Sequence, residues 1–247
     1  MTRFVLVHGA FGGSWCWEPV LPGLQAAGHQ VEAIDLPGAG ADLTPLAEVT
    51  LDAYAERICQ TLAQGPPALL VGASMGGMAI TQAAARCPQQ IAALAYVSAF
   101  APGDGQSLLD LTSMPEAAGD QVKANLVVEG DPPFGTLPAK AARHAVYNCA
   151  TDEQAAWAGE RHGPQALAPF TQPFTLGDQA REFAALPRAY VSCLQDRAIA
   201  LAMQRRMLSA AGCNPVIEID TDHSPWLSAT AETVAALNRI ADELVPG

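Results

Sequence analysis

The chain is poor in charge, and poorest in positive charge. Only 15% of its 247 residues are charged, and 13 Lys and Arg stand against 25 Asp and Glu, a net charge of −12. So acidic a balance repels phosphate backbones and anionic headgroups, which excludes nucleic acid and membrane from the expected partners. Long apolar runs are missing too: nothing approaches the roughly 20 residues of a membrane span. The N-terminal run Phe4–Val7 is too short for the core of a signal peptide. The six cysteines (Cys16, Cys59, Cys87, Cys149, Cys193, Cys213) form no C-x-x-C pair and have no histidine at finger spacing. They are expected to be reduced and mostly buried, without a disulfide framework or a zinc site, and no metal or cofactor is expected. These absences lead to the expectation of a soluble, cytoplasmic globular protein.

What is present is apolar material, 50% of the chain, arranged in short β-rich runs that alternate with helix-period segments. The expected strands are Phe4–Val7, Gln30–Ile34, Ala68–Val71, Leu94–Ser98, Ala189–Leu194 and Val216–Ile219, each nearly unbroken in apolarity, as for strands buried on both faces of a parallel sheet. Leu51, Tyr54, Ile58 and Leu62 repeat at helical spacing behind Thr50, an N-cap residue. Val234, Leu237, Ile240 and Leu244 repeat likewise near the C-terminus. Strand–helix alternation of this kind predicts a doubly wound α/β sheet. Residues 99–187 break the rhythm. They hold helical patches at Ala139–Tyr147 and Asp152–Arg161 but no convincing buried strand. An insertion between two strands must lie outside the sheet, so the expected division is a core of residues 1–98 and 188–247 with residues 99–187 as a helical cap over the carboxyl ends of the strands.

The chemistry-bearing signal is Gly72-Ala73-Ser74-Met75-Gly76, a G-x-S-x-G that follows an apolar strand and opens a small-residue helix. In that setting the serine sits on a strained turn with its Oγ at the sheet edge, and the glycines omit Cβ atoms that would collide across the turn. A serine hydroxyl needs a base and an orienting acid to act as a nucleophile at neutral pH. For elbows of this kind the chain order is nucleophile, acid, histidine. Of the five histidines, His223 follows the last strand in Asp222-His223-Ser224-Pro225. His29, His144 and His162 are read as solvated, and His8 as structural. The expected acid is Asp196, at the end of the penultimate strand, in preference to Asp35, Asp104 and Asp222. The oxyanion hole is expected from the amides of Met75 and of Ala10, in the glycine-rich loop after the first strand. The glycines of that loop are wrongly spaced for a dinucleotide fingerprint. Phe11, Phe100, Trp157 and Ile199 are the candidate substrate-pocket walls, beside Met75.

Phe4-Val5-Leu6-Val7-His8-Gly9-Ala10 with Gly12-Gly13-Ser14-Trp15-Cys16-Trp17, the turn around Ser74, Leu194-Gln195-Asp196-Arg197-Ala198-Ile199 and Thr221-Asp222-His223-Ser224-Pro225-Trp226 together resemble the α/β-hydrolase superfamily. The resemblance is to the branch that includes plant salicylate-type methylesterases, hydroxynitrile lyases and small bacterial carboxylesterases. It implies a six-stranded hydrolase fold and a Ser74–His223–Asp196 mechanism acting on a small-molecule ester, and it leaves room for a homodimer. A lyase on the same triad and a non-catalytic ligand receptor on the same fold remain as alternatives. The lyases of this branch carry a threonine after the first-strand histidine and a lysine after the catalytic histidine, where this chain has Gly9 and Ser224. Position 74, a serine, disfavours the aspartate-nucleophile hydrolases.

Overall fold

The computed structural model describes residues 1–245; Pro246 and Gly247, the end of the expected core segment, lie outside the described residues. The first part of the chain runs β1 (Arg3–Val7), α1 (Leu21–Ala26), β2 (Gln30–Ile34), α2 (Leu51–Leu62), β3 (Ala68–Ser74), α3 (Gly76–Arg86) and β4 (Ile91–Ala99). Between β4 and the next sheet strand come α4 (Leu108–Leu111), α5 (Gln121–Asn125), β5 (Val127–Glu129), β6 (Phe134–Thr136), α6 (Ala139–Ala145), α7 (Asp152–Gly159), β7 (Gln165–Ala166), α8 (Ala168–Thr171) and α9 (Ala180–Ala185). The chain then returns through β8 (Arg188–Cys193), α10 (Leu201–Ala210), β9 (Val216–Ile219), α11 (Pro225–Ser228) and α12 (Thr230–Leu244).

Six strands form one sheet in the order β2-β1-β3-β4-β8-β9, with every neighbouring pair parallel. Alternation along the strands sends Val5, Val7, Leu70 and Tyr96 to one face, where they meet Tyr54 and Ile58 of α2 and Met78 of α3. Phe4, Leu6, Leu69 and Val71 go to the other, against Leu24 of α1 and Leu237 and Ile240 of α12. Helices on both faces bury these side chains almost completely, at about 1.5–3 kcal/mol of transfer free energy for each large apolar one. Burial on both faces holds for β1, β3, β4 and β8. It fails for β2 and β9, which are the sheet edges and carry exposed residues such as Gln30, Glu32 and Val216. Thr50 caps α2 as its position predicts, accepting the Ala53 N–H at 2.9 Å.

Two expectations need correction. The segment between β4 and β8 is not purely helical: β5, β6 and β7 make a small antiparallel sheet of their own. Its strands are two or three residues long, too short to leave a period in the sequence. The cysteines are not all reduced: Cys59 of α2 is joined to Cys87, just beyond α3. The pair is 28 residues apart in sequence and 6.1 Å apart at Cα because α2 and α3 pack side by side, a tertiary contact that spacing cannot reveal. The cross-link removes the premise on which a reducing compartment was expected. Cys16, Cys193 and Cys213 are free and buried, and Cys149 is free and exposed. Among the described residues no helix is long and apolar enough to cross a membrane.

The strand order places the functional loops. The chain leaves β1 toward β2 and later enters β3 on the opposite side, so the carboxyl ends of β1 and β3 flank the point where the winding reverses. In open α/β sheets that crevice is where ligands bind.

Candidate active site

Among the described residues, the non-glycine residues with positive φ are Phe11 (62°), Ser74 (52°) and Ser98 (45°). They sit in the loop after β1, at the end of β3 and near the end of β4, three neighbouring strands. Left-handed backbone costs a side-chain-bearing residue on the order of 1–3 kcal/mol, and here all of that strain gathers at one sheet edge.

Ser74 ends β3, and the first turn of α3 follows at once. The turn requires its glycines: a Cβ on Gly72 would lie 2.7 Å from the Gly76 carbonyl oxygen. The loop after β1 approaches just as closely, since a Cβ on Gly9 would lie 2.7 Å from Ser74 Cβ and 3.3 Å from its Oγ. His8 holds this loop. Its Nε2 accepts the Leu36 N–H at 3.1 Å, so Nδ1 carries the ring proton and donates to the Gly9 carbonyl at 2.7 Å. Complete burial lowers its pKa, keeping the ring neutral. The structural role expected of His8 is therefore the one its contacts describe. Neither the Ala10 nor the Met75 amide is engaged in a turn, loop or side-chain hydrogen bond among the described residues, which leaves both donors free beside Ser74.

His223 lies in the loop between β9 and α11, 4% exposed, and its Nδ1 is 2.8 Å from Asp196 Oδ2. A carboxylate can only accept, so Nδ1 bears the proton and Nε2 presents its lone pair. Asp196, just past β8, is held from several sides. Its Oδ1 accepts the Ala198 and Ile199 amides at 2.7 and 2.8 Å, and its Oδ2 accepts Gln204 Nε2 at 3.2 Å. Burial works to lower the His223 pKa, but the charge and hydrogen bond of Asp196, with Asp222 and Asp120 beyond, outweigh it and leave the pKa raised.

Ser98 was not among the expected site residues. The register of β4 against β3 slips beside it, with Ala73 opposite Val97 and Ser74 opposite Ala99. The resulting bulge turns the Ser98 hydroxyl onto Asp196 Oδ2, and 3.3 Å from His223 Nδ1. A polar residue near the carboxyl end of a buried strand was the signal available for it. Asp222, the sequence neighbour of His223, faces away. Its Oδ2 accepts the Cys149 and Ala150 amides at 2.6 and 3.2 Å, and its Oδ1 the Ser224 amide and Ser228 Oγ at 3.0 and 2.6 Å. It fastens the His223 loop to the segment between β4 and β8.

Two connected chambers open from Ser74. One, a cavity of about 100 Å³, has Met75, Phe100, Leu108, Leu126 and Ile199 in its wall and Asp120 and Lys123 among its few polar residues. Burial raises the Asp120 pKa. The other, about 50 Å³, is lined by His223 together with Phe11, Tyr147, His162 and Trp226. Phe100 and Ile199 thus face the first chamber and Phe11 the second, all beside Ser74. Trp157 reaches neither. It lines a separate surface groove with Pro19 and Leu227, its ring edge-on to Trp15 and covered by Arg161. An aromatic residue in a helix-period pattern carries no information about which side of its helix meets the cavity. His162 is corrected in the opposite sense. It is not solvated but half-buried, stacked on Phe11 at 6.1 Å, with Nε2 2.7 Å from the Tyr147 hydroxyl, and burial pushes its pKa down to about 4. Among the described residues no group of three or more His, Cys, Asp or Glu converges as a metal site would require.

The Alpha/beta hydrolase family model matches residues 4–237. The chain belongs to this family. Methylesterase 7 of Arabidopsis thaliana is 30% identical over 98% of the chain and 96% of its own length. The Alpha-hydroxynitrile lyase of the same plant is 31% identical over 98% and 97%. Among solved structures, polyneuridine aldehyde esterase superimposes with a TM-score of 0.86 at 26% identity, covering 98% of this chain and 99% of the other. Esterase and lyase relatives stand at nearly equal identity, so the hydrolase-family assignment rests on the whole chain, while a choice between the two chemistries rests on side chains at the site.

Proposed function

We propose that the protein is a carboxylesterase that cleaves small, uncharged, largely apolar esters through a Ser74–His223–Asp196 triad and an acyl-enzyme. The observation that carries the reading is Ser74, held at positive φ on a strand-to-helix turn, lining one cavity with His223, whose Nδ1 bonds Asp196. His223 Nε2 takes the Ser74 proton as Oγ bonds to the ester carbonyl carbon, and the Ala10 and Met75 amides stabilise the oxyanion. The bond from that carbon to the alcohol oxygen then breaks, and the alcohol leaves with the proton from His223. Water, deprotonated in turn by His223, attacks the acyl-enzyme and releases the acid and free Ser74. Residues 99–187 serve as the cap that supplies substrate-facing walls to the core of residues 1–98 and 188–247, and Leu108, Leu126, Tyr147 and His162 support that division.

Similarity to an Alpha-hydroxynitrile lyase keeps cyanohydrin cleavage as the second reading. Two site features weigh against it. A side chain at position 9 would press on Ser74, so the backbone here has no space for the threonine of the lyases of this branch. Their lysine after the histidine is replaced by Ser224, buried at 1% exposure. A departing cyanide anion therefore meets no fixed positive charge at that position.

The test uses a serine-directed fluorophosphonate and two substrates. One phosphonate should add per chain, on the peptide containing Ser74, and Ser74→Ala should abolish both labelling and hydrolysis of p-nitrophenyl acetate. Cyanide release from mandelonitrile should stay at the spontaneous rate. Labelling at another residue, or cyanide release exceeding ester turnover and lost in Ser74→Ala, would overturn the reading.

A further inference from the structure

We infer that Tyr147 and His162 orient the water that attacks the acyl-enzyme, the Tyr147 hydroxyl accepting one hydrogen of that water while His223 takes the other. Tyr147 is then a catalytic residue of the second half-reaction, and His162 positions it. The inference rests on the esterase reading above and deepens it.

The second chamber has the size and the walls for this task. It measures about 50 Å³. A water occupies about 30 Å³ in the liquid, so one or two fit. A cavity of that size holds water when polar groups meet it from more than one side, and stays dry when its walls are apolar. Ser74 and His223 meet this one from the core, and Tyr147 and His162 meet it from the segment between β4 and β8.

The direction of the Tyr147–His162 bond decides what the pair presents. Tyr147 is 4% exposed, and its hydroxyl lies 2.7 Å from His162 Nε2. Burial pushes the His162 pKa down to about 4, so the ring is neutral. A phenol is far more acidic than the N–H of a neutral imidazole, and the bare imidazole nitrogen is the better acceptor, so the tyrosine donates to Nε2. Its one proton is then committed, which leaves the oxygen as an acceptor at the chamber wall. The imidazole is fixed in turn. It stacks on Phe11 at 6.1 Å, and the following amide, Gly163, donates to the Phe11 carbonyl at 2.9 Å.

The chemistry uses that acceptor. His223 Nε2 takes one proton of the water as the water oxygen bonds to the acyl carbon, and the Ala10 and Met75 amides receive the oxyanion. The bond from that carbon to Ser74 Oγ then breaks, Oγ recovers the proton from His223, and the acid keeps the second hydrogen. During the attack that second hydrogen, bound to Tyr147, fixes the rotation of the water so that a lone pair faces the carbon.

The experiment uses methanol as a competitor. Methanol has a single O–H, which His223 takes, so its attack makes no use of Tyr147. Acetyl-enzyme formed from p-nitrophenyl acetate divides between acetate and methyl acetate, and the initial ratio of these products reports only the competition for one intermediate. It does not depend on how much of a variant is folded. Tyr147→Phe should raise methyl acetate over acetate by about three- to tenfold, the worth of one neutral hydrogen bond. A burst of one p-nitrophenolate per chain should precede a slower steady state, with kcat lowered and kcat/KM, set by acylation, changed less than twofold. His162→Leu frees the tyrosine proton and should move the ratio the same way. His162→Gln, close to leucine in size but with an oxygen that accepts from Tyr147, should restore it. An unchanged ratio in Tyr147→Phe, or kcat and kcat/KM falling together, would overturn the inference. Equal ratios in His162→Leu and His162→Gln would remove His162 from it. A wild type that neither labels at Ser74 nor cleaves the ester would instead refute the esterase reading itself.

Discussion

The sheet core and the segment between β4 and β8 build the site by opposite means. In the core, position is set by backbone. The loop after β1, the turn at Ser74 and the bulge at Ser98 hold positive φ angles, and hydrogen bonds from His8, Gln204 and the amides of Ala198 and Ile199 lock the reacting groups. The other segment contributes side-chain surface from short helices and a three-stranded sheet, with exposed Val127 and Val128 on the edge strand β5. It is joined to the core by hydrogen bonds, such as those of the Cys149 and Ala150 amides on Asp222 and the Gly163 amide on the Phe11 carbonyl, and by apolar side chains such as Leu111, Phe174 and Tyr147 packed into the core clusters. In the proposed mechanism the core holds the reacting groups through its backbone, and the segment over it supplies part of the substrate-facing wall through side chains.

The sharpest test of that division lies in two carboxylates, Asp196, bonded to His223, and Asp222, the sequence neighbour of His223. Asp196→Asn should lower kcat by about 10³–10⁴, by analogy with the wrong-tautomer effect in the serine-protease triad, where that magnitude was established, and should also lower the thermal midpoint, because Asp196 is itself a buried acceptor of several hydrogen bonds. Asp222→Asn should cost stability without the catalytic loss. It turns one of two buried acceptor oxygens, each taking two hydrogen bonds, into a donor, so stability should fall by about 2 kcal/mol or more while kcat falls less than tenfold. Steady-state kinetics and thermal unfolding on both variants decide the matter, and crippled catalysis in folded Asp222→Asn would erase the distinction.

A smaller effect is expected at Ser98, which acts through Asp196. Its hydroxyl donates to the oxygen that also receives the His223 proton. Without that donor the carboxylate concentrates its charge on the imidazole, so Ser98→Ala should lower kcat about tenfold and move the acidic limb of kcat/KM upward. Ser98→Gly relaxes the positive φ yet also lacks the hydroxyl. Equal limb shifts in the two variants would assign the effect to the hydrogen bond, and a shift in neither would deny Ser98 a positioning role.

The wild-type pH profile sharpens the same picture. His223 must be neutral to act as a base, and Asp196, Asp222 and Asp120 favour its charged form more than burial opposes it. The rising limb of kcat/KM should therefore have an apparent pKa above the ordinary 6.5, shared by the coupled His223–Asp196 pair. A limb below that value would show that burial dominates. The least effect on activity is expected far from the site. Cys59→Ser with Cys87→Ser opens the link between α2 and α3, which should cost about 3–4 kcal/mol of stability on the chain-entropy argument. The kcat should be nearly unchanged, because neither residue borders a chamber.

The sequence by itself determined the sheet, the elbow and the order of the reacting groups. The four inner strands are short apolar runs, the strands are set off by helices or turns with their own period, and G-x-S-x-G is a local pattern whose geometry follows from the glycines within it. The glycine-rich loop after β1 was legible as a candidate oxyanion loop, but the close approach of Gly9 to Ser74 came only with the structure. Everything decided by contacts between distant elements required the tertiary structure. Cys59 meets Cys87 only because two helices pack together. Ser98 becomes a partner of Asp196 only because a bulge turns it, and Trp157 misses the cavity while His162 and Tyr147 line it because of how short elements settle over the core. Local patterns fix backbone conformation through sterics and hydrogen bonding within a few residues. Which side chain faces a cavity is settled by long-range packing, and neither the spacing nor the type of a residue encodes that direction.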